Sequence, residues 1–191
     1  MTNVLNLPIR QDYQGSARKV LQTEAAAIAR MAEILNDSFN EVIDLILKSR
    51  GRIIVTGMGK SGHIARKIAA TFASTGQPSI FVHPAEASHG DMGMITSQDV
   101  VIALSNSGET AELADLIEYT RLYQIPLIAL TRRPKSTLAL HAEFAFILPD
   151  SPEACPMNLA PTTSTTMMLV FGDALAVALL EARQFTPADF K

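Results

Sequence analysis

Cys155 is the only cysteine among 191 residues. That excludes an intramolecular disulfide and any zinc cage built from several cysteines. A basic excess is missing too: 16 Lys and Arg stand against 19 Asp and Glu, a net charge of -3, so the charge balance speaks against a phosphate backbone as partner. The first fifteen residues lack the basic start and apolar core of a signal peptide. No apolar run reaches membrane-spanning length, since the longest, residues 167–180, is interrupted by Gly172 and Asp173. Repeats, biased tracts and linkers are absent. These absences lead to the expectation of a soluble cytoplasmic protein bound to neither nucleic acid nor membrane.

What is present suits one globular unit. With 48% hydrophobic and 18% charged residues, the chain can bury a core, and 191 residues leave little room for a second. The expected organisation is a single domain, 1–191, with a helical lead over about 12–49 and an α/β core over about 51–185. In the lead, Val20, Ala27, Met31, Ile34 and Leu35, then Val42, Leu45 and Ile46, recur at helical spacing around a break at Asn36, Asp37 and Ser38. That pattern predicts a helical hairpin. From Gly51 the period shortens, and the apolar runs 53–56, 80–83, 100–104, 127–131 and 144–148 read as buried strands. Helix-length stretches at 61–75, 109–123 and 163–183 separate or follow them. Strand and helix in alternation imply a five-stranded parallel sheet covered on both faces, a three-layer αβα sandwich.

In such sheets ligands bind beyond the carboxyl ends of the strands, so those loops are where chemistry is sought. The first strand ends in Gly57-Met58-Gly59-Lys60-Ser61-Gly62, a dinucleotide-type G-x-G-x-x-G between strand and helix. The second strand, however, ends at His83 where a ribose-binding acid is expected, which weakens a nicotinamide reading. A Walker loop fails because its leading glycine would fall at Ile54. What survives is a turn that aims backbone N–H groups and Lys60 at an anion, against the plainer alternative of a turn with a solvated lysine.

The third strand leads into Ser105-Asn106-Ser107-Gly108-Glu109-Thr110. Its three hydroxyls suit a phosphate monoester; alternatively Ser107 caps the following helix and Glu109 stabilises that helix's first turn. Glu112, three residues on, reads from spacing alone as an exposed acid. Glu153 differs, lying in a proline-bounded loop after the last strand. His83, His89 and Asp91 invite a zinc reading, but their spacing matches no zinc signature, and structural or sugar-hydroxyl contacts are favoured. The stretch 162–166, rich in threonine, is expected to cap the closing helix and partly line the pocket.

Together with His63, the run from His83 to Asp91, the segment Glu153-Ala154-Cys155-Pro156 and the hydroxyl-rich 159–166, these motifs resemble the arabinose-5-phosphate isomerase family and its sugar isomerase (SIS) domain. The resemblance runs from about Gly15 to Phe190. It implies the SIS fold and interconversion of D-arabinose 5-phosphate and D-ribulose 5-phosphate, a step toward the Kdo of lipopolysaccharide or capsule. It implies a homotetramer with active sites between subunits. Position by position, the family's catalytic lysine matches Lys60 and its two glutamates match Glu112 and Glu153. Substrate contacts fall on Gly76, Gln77, His83 and His89. Phosphate is assigned to the serine-rich loop, and Ser61, Ser105, Ser107 and Thr110 are the expected anchors. His83 is marked as a zinc ligand, zinc being an inhibitor or site ligand and not a required cofactor. Family members continue past Asp189 and Phe190 into a histidine-bearing segment and CBS modules, neither of which these 191 residues include. Two other readings stand beside this one: a different SIS phosphosugar isomerase, and a non-catalytic sugar-phosphate-binding domain.

Overall fold

The computed structural model describes residues 12–186 together with Ala188 and Asp189. Residues 1–11, read above for a targeting signal, and Phe190 lie outside the described residues. The helical hairpin is present: α1 (Tyr13–Glu33) and α2 (Asp37–Lys48) meet at the predicted break, where the Asn36 side chain caps α2 by accepting from Ser38 N–H at 3.0 Å.

β1 (Ile53–Gly57), β2 (Ser79–Phe81), β3 (Val100–Leu104), β4 (Leu127–Thr131) and β5 (Phe144–Ile147) form one parallel sheet in the order β2-β1-β3-β4-β5. β1, β3 and β4 are buried throughout, which is why they appear in sequence as unbroken apolar runs. Successive residues along these strands feed opposite faces. Val55, Ile102 and Leu130 pack under α1, α2, α3 (Gly59–Ser74) and α7 (Thr163–Ala182). Ile54, Val101 and Ala129 pack under α4 (Pro84–Ser88), α5 (Ala114–Leu122) and α6 (Thr137–His141). The three-layer αβα sandwich is thus observed.

α7 is the core helix of its layer, packed on α3 at a close crossing. A Cβ on Gly172 would come within 2.5 Å of the Ile68 side chain, so glycine is what lets the two helices approach. By length and composition α7 is apolar enough to span a membrane, contrary to the expectation that no run reaches that length. The helix runs on through Gly172 and Asp173, whose carboxylate pairs with Lys67 of α3, and half of it is buried inside the protein.

One expected boundary is wrong. The stretch 109–123 is not a single helix: it begins as loop, passes through a 3-10 turn (Ala111–Leu113), and becomes helical only at Ala114. The second strand is also shorter than expected, ending at Phe81, with His83 standing as N-cap of α4.

At the amino ends of the strands, β1 and β3 are fastened by a buried carboxylate. Asp99, 2% exposed, accepts from Arg52 N–H at 2.6 Å, Thr96 N–H at 2.8 Å and the Thr96 hydroxyl at 3.1 Å, and meets the Arg52 guanidinium at 3.4 Å. Burial works to raise its carboxyl pKa. The hydrogen bonds from Arg52 and Thr96 outweigh that and hold it below the ordinary carboxylate value. The opposite ends of β1 and β3 carry the loops of interest.

Candidate functional site

β1 sends its helix to one face of the sheet, whereas β3 sends its own to the other. The loops after these two neighbouring strands therefore part and leave a crevice at the carboxyl rim, the switch point where such sheets bind ligands. Residues 57–62 form one wall and residues 105–110 the other.

The first wall owes its glycines to packing, with no nucleotide needed to explain them. A Cβ on Gly62 would lie 2.6 Å from the Gly57 carbonyl oxygen, and one on Gly57 would lie 3.0 Å from that of Leu104. Gly59 takes φ +57 with open space around it, and this turn brings α3 up at the rim. The N-cap of α3, Met58, supplies no side-chain hydrogen bond, so the positive end of a sixteen-residue helix stays open toward the crevice. Lys60 is exposed in its first turn, and Ser61 is half-buried with its hydroxyl 3.7 Å from the Met168 sulfur of α7.

The second wall is braced from within. The Ser105 and Thr110 hydroxyls lie 2.7 Å apart, and Gly108 N–H donates to Ser105 Oγ at 3.0 Å. Ser107 is exposed and accepts from Glu109 N–H at 3.2 Å. No residue of this loop caps α5, whose N-cap is Leu113 without a side-chain bond, so the helix-capping alternative for Ser107 does not hold. Nor does Glu109 support the first turn of α5: its carboxylate bonds to Thr137 in α6 instead. Glu112 projects from the 3-10 turn as an exposed acid, and among the described residues it makes no ion pair.

Glu153, after β5, is fully engaged. Its Oε2 accepts from Thr162 N–H at 2.7 Å, the Thr162 hydroxyl at 3.1 Å and Ser164 N–H at 3.2 Å, while Oε1 takes the Ser164 hydroxyl. The threonine-rich start of α7 is therefore capped by this carboxylate and by no threonine of its own. Burial acts to raise the Glu153 carboxyl pKa, but the donors from Ser164 and Thr162 prevail and lower it. Glu153→Ala is expected to uncap α7 at a cost of about 1 kcal/mol. That lowers the melting midpoint by a few degrees and speeds amide exchange at Thr162 and Ser164, both readable by thermal melts and exchange mass spectrometry.

His83 and His89 bracket α4 at the rim. His83 packs against the edge of the Phe81 ring, itself covered by the Arg66 guanidinium 4.1 Å from its centroid. His83 Nδ1 is buried without a hydrogen-bond partner, as is Asn106 Oδ1 in the second wall. Such orphaned atoms are what a ligand's hydroxyls would satisfy. For zinc the fit is poor: among the described residues no three His, Cys, Asp or Glu side chains come together as a ligand set, and His83 alone cannot hold the ion.

Gly76 and Gln77 are not brought to this rim. They follow the far end of α3, about 24 Å from Lys60 along a helix rising 1.5 Å per residue. Gln77 is buried and accepts from Arg183 Nη2 at 2.5 Å, and Gly76 sits under the Phe185 ring. Sequence reasoning missed Thr137 as a partner of the serine-rich loop. Its only sequence signal is its place after Ser136, which caps α6 by accepting from Ala139 N–H.

The SIS domain family matches residues 45–178. The chain belongs to the SIS domain family. Among curated proteins, this SIS domain is 53% identical over 186 residues to the arabinose 5-phosphate isomerase KdsD of Pseudomonas aeruginosa, covering 97% of this chain and 57% of that relative. It is 52% identical over 179 residues to the protein of that name from Escherichia coli K12, with coverages of 94% and 55%. The chain thus spans about half the length of the curated relatives it matches. Among solved structures, E. coli CFT073 c3406 in complex with arabinose 5-phosphate superposes with a TM-score of 0.90 at 42% identity, covering 95% of this SIS domain and 97% of that chain.

Proposed function

We propose that this SIS domain is an aldose-ketose isomerase that interconverts D-arabinose 5-phosphate and D-ribulose 5-phosphate, supplying Kdo synthesis. The observation that carries the reading is the likeness, at 42% identity over nearly the whole of both chains, to a structure solved with arabinose 5-phosphate. The crevice is consistent with it. One wall presents an open helix N-terminus with Lys60 and Ser61, the other the hydroxyls of Ser105, Ser107 and Thr110, and a phosphate monoester needs several donors of this kind.

The chemistry moves one proton between adjacent carbons. After a histidine, His83 or His89, assists ring opening by proton transfer, a carboxylate takes the proton from C2 of the open aldose and the carbonyl electron pair moves onto O1. The carboxylate returns the proton to C1 as O2 becomes the carbonyl oxygen and its proton passes to O1. Lys60, a cation at the rim, stabilises the intervening enediolate. Glu112 fits the shuttle better than Glu153, because among the described residues its carboxylate makes no ion pair while Glu153 accepts four hydrogen bonds. Glu153 then serves by holding the 151–161 loop to α7. The steps as written call on no redox cofactor or metal.

The working form in this proposal is a homotetramer with sites between subunits. Two features support it. α1 buries only Ala27 and Met31 of its 21 residues and leaves Tyr13 and Leu21 exposed, as a helix awaiting a partner does. Gly76 follows the end of α3 remote from its own rim, so a contact between it and substrate requires a neighbouring copy.

The test is incubation with arabinose 5-phosphate and assay for ribulose 5-phosphate, alongside hexulose phosphates and unphosphorylated arabinose. The phosphosugar is expected to react, and free arabinose to show a kcat/KM lower by ~1000-fold or more, since binding at the phosphate is used to orient the reacting carbons. Equal turnover of free arabinose overturns the phosphate cradle. Preference for a hexulose phosphate overturns the substrate. Binding without turnover indicates a sugar-phosphate-binding domain.

A further inference from the structure

The serine-rich loop is suspended from the segment between β4 and α6. Asn106 O accepts from Arg132 N–H at 3.1 Å and from the Thr131 hydroxyl at 3.3 Å, and Gly108 O accepts from Leu138 N–H at 3.1 Å. Gly108 lies so close to Ser136 that a Cβ would meet its hydroxyl oxygen at 2.0 Å, and its φ of +67 independently favours glycine. The side chain that reaches across is Glu109. Its Oε1 accepts from Thr137 N–H and its Oε2 from the Thr137 hydroxyl, each at 2.8 Å, over a separation of 28 residues.

We propose that Glu109 is a positioning residue for the phosphate cradle, holding residues 105–110 in the shape that receives the anion by gripping Thr137. The inference rests on the phosphate reading given above. Three residues of the loop, Asn106, Gly108 and Glu109, are tied to residues 131–138. The hydroxyls of Ser105 and Thr110 remain paired with each other at the crevice. Without the Glu109 clamp, the stretch between Gly108 and the 3-10 turn keeps the Ser105–Thr110 contact but loses its side-chain tether to α6, and the ligand must order it on binding. The clamp also directs the loop's one carboxylate to α6. Thr137 N–H, and then its hydroxyl, hold the Glu109 carboxyl below its ordinary range, so it is ionised at neutral pH. A free carboxylate swinging at this wall would compete with a phosphate for the same donors.

Two substitutions test the proposal, assayed with arabinose 5-phosphate as substrate and inorganic phosphate as competitive inhibitor. Glu109→Ala is expected to raise the KM and the inhibition constant together, by about tenfold, the scale of one charge-assisted hydrogen bond, with kcat changed by less than ~3-fold. Glu109→Gln is expected to restore both, because its amide oxygen can accept from Thr137 N–H while its amide N–H donates to Thr137 Oγ1. Unchanged constants in Glu109→Ala overturn the proposal, as does a fall in kcat alone, or a Glu109→Gln enzyme as impaired as the alanine variant. Thermal melts confirm that both variants fold, which exposure of Glu109 favours. A wild-type chain that binds neither phosphate nor phosphosugar removes the phosphate reading and this inference with it. Normal binding by Glu109→Ala beside a binding wild type removes this inference alone.

Discussion

Lys60→Ala is expected to lower kcat for phosphosugar isomerisation ~100-fold or more, the usual scale for losing a donor to a developing oxyanion. The substitution should leave the fold intact. Lys60 is exposed in the first turn of α3, and the turn that places it depends on Gly57, Gly59 and Gly62 and not on its own side chain. Phosphate affinity should fall far less than kcat, because the open helix terminus and the hydroxyls of the opposite wall remain. The split is measured by steady-state kinetics with inorganic phosphate inhibition run in parallel. An unchanged kcat in a folded variant would remove Lys60 from the chemistry. A loss confined to KM would make it a phosphate ligand only.

How much of this site could be read from sequence follows from which contacts are local. The strand runs were legible because β1, β3 and β4 are buried on both faces, leaving threonine, at Thr56 and Thr131, as the only polar residue type in them. The glycine-rich turn and the serine-rich loop were legible for the same reason: each follows its strand directly. The start of α5 was not, because Glu109, read as its first turn, instead bonds to Thr137, 28 residues downstream. Glu153 stood out as a loop carboxylate, yet nothing in its surroundings in sequence announces that four donors from Thr162 and Ser164 converge on it. The closing helix was legible as one element over 163–183, and α7 bears that out, but its membrane-spanning apolar length was not. Gly172 and Asp173 look like a break in the apolar run until Ile68 and Lys67 of α3 are seen to occupy the space and the charge they leave. Gly76 and Gln77, adjacent to a site residue only by family resemblance, are separated from it by the whole length of a helix.

The site also depends on the far end of the sheet. β1 and β3 run in register from Ile53 opposite Val100 to Gly57 opposite Leu104, and the two walls of the crevice begin where that pairing stops. Any slip between these strands displaces Lys60 relative to Ser105. Asp99 guards against it by joining the residue before β1 to the turn before β3. Asp99→Ala is expected to destabilise the protein by about 3 kcal/mol, because it leaves the partly buried Arg52 and Thr96 N–H groups and the Thr96 hydroxyl without their acceptor. For a chain of this length that is roughly a 6–12 °C drop in melting midpoint.

The same contact predicts a pH dependence of definite sign. The folded-state Asp99 carboxyl is held below its unfolded value, so its contribution is complete above about pH 3.9, the ordinary aspartate value, and is lost as pH falls through the lower folded value. The stability gap between wild type and Asp99→Ala, followed by urea denaturation, should therefore stay constant from neutrality to about pH 5 and close on further acidification. A gap that persists undiminished at the acid end would mean that the charge of Asp99 is not what fastens the strands.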